Sequence, residues 1–267
     1  MERSNSTTIP PGGSLRWSAC SISGPDNRQV ARTGSMGRKK AFRWRTRILA
    51  LFLLAALVAG GWAWWTAQHW RPERKDFPVQ GVIVGARDGR VNFPAFRAIG
   101  AQFVYLDASS GAGGRDPAFS RNLRNVRGSG LSVGVVHTYD PCEPAERQSA
   151  NFVTIVPRDG GLLPPAIALL GTAEDCPERV SEQAVESELT TFLNQIEGHV
   201  GQPAVLLVSP EFEARYNIAS KIERNLWLER DFMQPDYAGR PWTLWTANAH
   251  YRNDASPEPV RWVVLQP

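Results

Sequence analysis

The sequence predicts an α/β protein whose larger part is a TIM-like barrel, about five βα units followed by three strands with few helices, and three observations carry that expectation. Short β-branched or apolar runs alternate with helical stretches, the sequence form of parallel βαβ units. The strand runs are apolar almost throughout, as strands covered on both faces are. After about residue 224 the runs follow one another with too little chain between them for crossover helices, and the strand total reaches eight, the number at which such a sheet closes.

The chain begins with a segment that does not belong to the barrel. Residues 1–35 are rich in Ser, Gly, Pro and Thr with little periodic hydrophobicity, and residues 1–45 are expected to form a disordered basic tail. Met36 opens "MGRKKAFRWRTR", a more typical start for an anchored protein than Met1. Eight Lys or Arg and no acid lie between Arg28 and Arg47, while residues 1–27 balance; the formal charge of +4 therefore leaves residues 48–267 at −4. The basic pI belongs to a short segment. A nucleic-acid-binding domain, which needs its cations on the folded surface, is excluded on that ground.

"ILALFLLAALVAGGWAWWT", Ile48 to Thr66, is nineteen residues without a charge, close to the ~20 that a helix needs to cross the hydrocarbon core. A transmembrane helix is expected over residues 46–66. The basic cluster on its near side places the N-terminus in the cytoplasm by the positive-inside rule, and Trp62, Trp64 and Trp65 form an aromatic belt at the far side. A cleaved signal peptide shares the basic start, but has a shorter apolar core and ends in small residues. The length and bulky end of this run favour an anchor in the inner membrane, with the C-terminal domain periplasmic. Residues 67–78, polar and containing Pro72 and Pro78, are expected to be a linker.

The barrel strands are expected at Gly81 to Ala86, Phe103 to Ala108, Ser132 to Tyr139, Pro165 to Leu170 and Ala204 to Ser209. Helices are expected between them at Phe93 to Ile99, at Pro117 to Val126 with Asp116 as N-cap, and at Ala145 to Val156. The clearest is Glu182 to Glu197, where Val185, Leu189, Phe192, Leu193 and Ile196 recur at helical spacing. Ser209-Pro210 caps another. "NLWLER", "WTLWTAN" and "VRWVVLQ" supply the last three strands. Cys142 and Cys176 each follow a strand by a few residues, and neighbouring parallel strands would bring both to one rim of the barrel. In an oxidising compartment this pair is expected to be a disulfide, with two separate buried thiols as the alternative.

Several phrases in this order resemble the glycoside hydrolase family 25 lysozymes, N-acetylmuramidases that cut bacterial peptidoglycan. They are "GVIVGARDGRVNF", "FVYLDASSG", Asp116-Pro117 with Phe119, "GLSVGVVHTY", Gln148, Ala150, Asn151 and Phe152, "LPPAIALL", "LVSPEF" and "LWLERD", over about residues 79–267. The resemblance implies a barrel directed at peptidoglycan or a related glycan. It also implies acids at the C-terminal ends of the first and fourth major strands, and those positions here are Ile83, Ala168 and Leu170. A two-residue shift of the fourth strand moves the pair to Leu170 and Thr172, and the family's Glu after the second strand is Ser110. Hydrolysis of a glycosidic bond normally takes two flanking carboxyls, so muramidase activity is expected to be lost or weak, leaving glycan or envelope binding.

An active enzyme would need relocated acids, for which Asp107, Glu174 and Asp175 are the candidates beside a reading as solvated loop acids. His137 matches a family His that lines the cleft, with a core His as the alternative. Of Trp227, Trp242, Trp245 and Trp262, most are expected in the core, and Trp242 or Trp245 is the choice for stacking on a sugar. A scaffold that recruits an envelope or membrane partner is a third reading. No metal-ligand spacing, phosphate-cradling loop or nucleophile elbow is present, and neither metal nor cofactor is expected.

Overall fold

The structure, a computed structural model, describes residues 36–267, with side chains from Arg43 onward and without that of Asp175. The expected disordered tail therefore falls largely outside the described residues. Its last part differs from expectation: helix α1 runs Met36–His69, because Lys and Arg are good helix formers and no Gly or Pro interrupts the chain between Arg38 and Ala59. Within Arg43–His69 an 18-residue window has a mean hydropathy of 2.0 and is not buried, so this helix is long and apolar enough to cross a membrane. The chain divides after Ala55 into two compact units, described separately.

The second unit contains nine strands and six further helices: β1 (Gln80–Val84), α2 (Phe93–Ile99), β2 (Phe103–Ser110), β3 (Gly114–Arg115), α3 (Phe119–Val126), β4 (Ser132–Thr138), α4 (Ala145–Ile155), β5 (Ala166–Leu169), α5 (Glu182–Val200), β6 (Val205–Val208), α6 (Pro210–Tyr216), α7 (Ile218–Lys221), β7 (Asn225–Glu229), β8 (Leu244–Tyr251) and β9 (Val260–Leu265). The sheet order β1-β9-β8-β7-β6-β5-β4-β2 closes through a β1–β2 pairing, and β3 hangs from β2 as a short hairpin. Eight strands thus form a closed barrel, with helices after the first five and none after the last three. The order of elements follows the sequence closely.

The helix ends have local causes. Asn92 caps α2 by accepting from the Ala95 amide at 3.1 Å, and Ser209 caps α6 from the Phe212 amide at 3.1 Å. The chain leaves α2 at Gly100, with φ +109°, a conformation that favours glycine. Asp116 does not cap a helix at Pro117. Its carboxylate accepts instead from Ala118 in a turn and from Ala86 across the barrel rim, and α3 starts two residues later.

β9 is antiparallel to both β8 and β1. Only residues 252–259 connect β8 to β9, too short a path to return to the other end of the barrel, so the strand must reverse. This leaves the outer wall of β8, β9 and β1 without covering helices. Residues 70–79, which include most of the segment expected as a linker, pack over it. Phe77 packs against Trp242 and Trp245, with ring centroids 6.3 and 5.7 Å apart, and Trp70 lies 6.5 Å from Trp245. Gln80, fully buried, donates to the carbonyls of Pro72 and Phe77 and accepts from Trp262 Nε1 at 2.9 Å. The Asn248 amide donates to the carbonyls of Ala67 and Trp70 at 3.0 and 2.8 Å, tying the end of α1 to β8.

Cys142 and Cys176 are joined by a disulfide, their Cα atoms 5.3 Å apart, across the rim between the β4–α4 and β5–α5 loops. A closed loop of 34 residues stabilises by about 3–4 kcal/mol in the chain-entropy account. A Cys142→Ala/Cys176→Ala variant should lose about that much in urea unfolding, with its circular dichroism otherwise unchanged. Trp245→Ala, which opens a hole under residues 70–79, should cost about 3–5 kcal/mol in the same assay.

Candidate functional site

The C-terminal ends of the parallel strands form one mouth of the barrel, where barrels of this kind build their sites. Inward-facing positions alternate along each strand. Ile83, Tyr105, Val136, Ala168, Leu207, Trp227 and Val263 meet inside the barrel as one apolar layer, and Trp227 Nε1 donates to Thr246 Oγ1 at 2.8 Å within it. Ile83 and Ala168 are thus buried in packing, at 0% and 1% exposure. Leu170 lies past the end of β5 and is 40% exposed. Ser110 ends β2 opposite Gly114 of the hairpin, and Thr172 follows β5 in the loop.

Charge appears one step above that layer. Asp107 stands two residues past Tyr105 on the same face of β2 and accepts from Arg261 Nη2 at 2.6 Å. Arg261 is paired in register with Ile83, so β9 delivers its guanidinium over the apolar layer. Space for the pair comes from Gly85: a Cβ there would lie 2.4 Å from Asp107 Oδ2. The turn is fixed by Asp88, whose carboxylate accepts from the Gly85 amide at 2.6 Å. Glu229 ends β7, two residues past the inward-facing Trp227. Burial pushes its carboxyl above the usual carboxylate range, Arg261 and Arg87 oppose that rise, and Asp231 reinforces it. Its peptide nitrogen donates to Tyr237 Oη, which itself donates to the Val208 carbonyl.

Asp107, Arg261 and Glu229 can therefore offer a carboxylate held by a cation and a carboxyl inclined to keep its proton, a set suited to polar hydroxyl or amide groups. Beside the mouth a recess of about 490 Å³ is lined by Ser110, Gly113, Thr138, Asp140 and Thr172. Another cavity, of about 440 Å³, opens at the opposite end of the barrel beside Phe103, Leu163 and Leu244, away from these groups. Among the described residues no three or more His, Cys, Asp or Glu side chains gather as a metal site.

The other expected site residues lie elsewhere. Glu174 is on the surface, its side chain 70% exposed and 3.3 Å from Arg215 of α6. The side chain of Asp175 lies outside the described part of the structure. His137 points away from the mouth, because its neighbour Val136 points inward. It is fully buried between β4 and α4 and α5, with Phe192 at 4.9 Å, Ser109 Oγ 2.8 Å from Nδ1 and Gln148 Oε1 3.5 Å from Nε2. A register shift in β2 after Asp107 brings Ser109 opposite it. Trp242 and Trp245 belong to the outer wall, where Trp245 Nε1 donates to the Arg230 carbonyl at 2.7 Å. They are therefore not positioned to stack on a ligand in the mouth. Glu229 and Arg261 were not among the expected residues. Each is a charge at an inward-facing position of an otherwise apolar strand, "NLWLE" and "VRWVVL", and that pattern marks them.

The profile of the family described as glycosyl hydrolases family 25 matches residues 84–254. The Escherichia coli protein YegX is 26% identical over 193 residues, 69% of this chain and 68% of that protein. The family 25 glycosyl hydrolase of Bacillus anthracis superposes with a TM-score of 0.67 at 22% identity, covering 75% of this chain and 93% of its own. The bacterial lysozyme of Streptomyces coelicolor gives 0.64 at 19%, covering 71% and 92%.

The packing of His137 has a consequence for stability. Burial lowers its pKa from 6.5 to about 4, so the folded protein takes up this proton only near pH 4, whereas the unfolded chain takes it up below pH 6.5. The favourable contribution is complete above pH 6.5 and is lost as pH falls from 6.5 through 4. That loss is about 3 kcal/mol. His137→Leu should therefore show a shallower fall of urea-unfolding free energy than the parent protein between pH 6.5 and 4.

Proposed function

The chain belongs to glycosyl hydrolase family 25, and on that premise we propose that it is a membrane-anchored, peptidoglycan-directed barrel that binds glycan and has little or no muramidase activity. The observation that carries this reading is the apolar layer around Ile83 and Ala168. At those positions the resemblance implies acids, and the side chains present can neither donate a proton nor stabilise an oxocarbenium-like charge. Asp107 compensates only in part, since Arg261 already holds it. A neutralised carboxylate can still bind a hydroxyl, but is a weaker base or nucleophile. With α1 as the anchor and its basic end in the cytoplasm, the barrel would stand in the periplasm.

One observation favours a second reading. Glu229 is a half-buried carboxyl at the mouth whose affinity for its proton is raised by burial, the property of a general acid. With Asp107 as partner it would make a relocated acid pair.

Digestion of purified peptidoglycan by the full chain in detergent separates the two. General acid catalysis is commonly worth ~10² to 10⁴ in rate; the first reading expects release of reducing ends at least 10²-fold below an active family 25 lysozyme. It also expects co-sedimentation with insoluble peptidoglycan that weakens in Glu229→Gln and Asp107→Asn. Rapid release abolished by Glu229→Gln would replace the binding reading with the enzymatic one. Rapid release insensitive to both substitutions would reject both readings.

A further inference from the structure

The loop that follows β7 carries two exposed apolar side chains that nothing in the barrel uses. Phe232 is 46% exposed and Met233 56%. Phe232 has φ +67°, a conformation that bulky residues rarely adopt, and the backbone is fixed there: its amide donates to the Ala247 carbonyl at 2.9 Å, and the neighbouring Asp231 accepts from the Ala249 amide at 2.7 Å. The charges of this loop are engaged with protein, since Arg230 pairs with Asp236 at 2.7 Å.

The same stretch of β8 also holds the end of α1. Asn248 donates to the carbonyls of Ala67 and Trp70, and the Arg252 amide donates to the Gln68 carbonyl at 2.8 Å. Trp70 meets Phe232 edge to face, ring centroids 5.4 Å apart. The exposed pair and the end of the apolar helix are therefore parts of one hydrogen-bonded assembly rather than separate mobile features.

Their level relative to a bilayer follows from helix dimensions. The uncharged run Ile48 to Thr66, nineteen residues, is about 28 Å long at 1.5 Å per residue, close to the ~30 Å hydrocarbon core. Its far end therefore reaches the headgroups, and the residues after Thr66 lie beyond the core. Trp62, Trp64 and Trp65, all more than half exposed, mark the boundary, as interfacial Trp residues do. Trp70 lies five positions beyond Trp65, roughly 7 Å further along the axis, and Phe232 touches it.

We propose that Phe232 and Met233 are seated in the headgroup layer of the bilayer that α1 spans, so that the rim of the mouth beside Glu229 is held at the membrane surface. This rests on the reading of α1 as an uncleaved anchor. The partner is the lipid interface, which accepts an aromatic ring and a flexible thioether beside a Trp belt without requiring a complementary protein surface. Glu229 is three residues from Phe232, so ligand would reach this side of the mouth along the membrane rather than from bulk solvent.

Nitroxide labelling of the full chain tests this in vesicles of phosphatidylethanolamine and phosphatidylglycerol, in a Cys20→Ser background with the Cys142–Cys176 disulfide intact. The label is placed at Met233→Cys, with Leu54→Cys as the bilayer reference and Arg127→Cys, on a side chain 66% exposed, as the aqueous one. The readout is the ratio of collisions with oxygen to collisions with a water-soluble nickel chelate. The expected ratio at position 233 is several-fold above that at 127 and below that at 54. A ratio at 233 equal to that at 127, with 54 reading as bilayer, overturns the docking of the loop while leaving the anchor in place. Aqueous values at both 54 and 233 overturn the anchor, and the proposal with it.

Discussion

A barrel wall has two faces, and the structure depends on how the outer face of its last strands is covered. From β7 onward the chain is too short for crossover helices, so β9 runs antiparallel between β8 and β1 and the wall there has no helix of its own. An uncovered wall of Trp242, Trp245 and Trp262 would expose large apolar area to water. Burial of each such side chain is worth about 1.5–3 kcal/mol or more. The segment that follows α1 supplies the cover, with Trp70, Phe77 and the buried Gln80. One packing requirement therefore also joins the helix to the barrel, and the junction is held by the Asn248 and Arg252 hydrogen bonds.

The inside of the barrel obeys a different constraint. Inward side chains stack in layers, and a layer that contains Ile83, Ala168 and Trp227 excludes water from the level at which acids are implied by the family resemblance. The charges stand one layer higher, where Asp107 and Arg261 neutralise one another beside Glu229. The three come from β2, β9 and β7, strands distant in sequence, and Gly85 provides the space for the first two. The polar groups of the mouth stand above the apolar layer, not in it.

Much of this was legible in the residues. The alternation of apolar runs with helical stretches, and the shortening of connections after residue 224, are local properties, and they led to the correct order of elements. What was missed depends on partners far away in sequence. The composition of residues 67–78 reads as a polar linker, because Trp70 and Phe77 are only two large apolar residues among charges and prolines; their role appears once the bare wall of β8 and β9 is known. His137 matched a position in a family phrase and Trp245 was chosen for its flat apolar ring, but strand parity decides which face a side chain takes. Val136 inward sends His137 outward. Asp107, by the same rule, faces the mouth. Glu229 and Arg261 carried a sequence signal that composition hid, a charge at an inward position of an apolar strand.

The same layering shows why acids could not simply be introduced at these positions. An Asp at position 168, paired in register with Leu207, would sit in the apolar layer, and an ionised carboxylate there would bear a desolvation cost. An acid at 83 would have Arg261 beside it in register, but that guanidinium already holds Asp107, and sharing it would weaken the pair that occupies the mouth. Either change would require neighbouring side chains to become smaller or polar to admit water. The apolar layer, the Arg261–Asp107 pair and the glycine at 85 are therefore coupled, and the chemistry of this mouth is set by their packing as a group rather than by any one side chain.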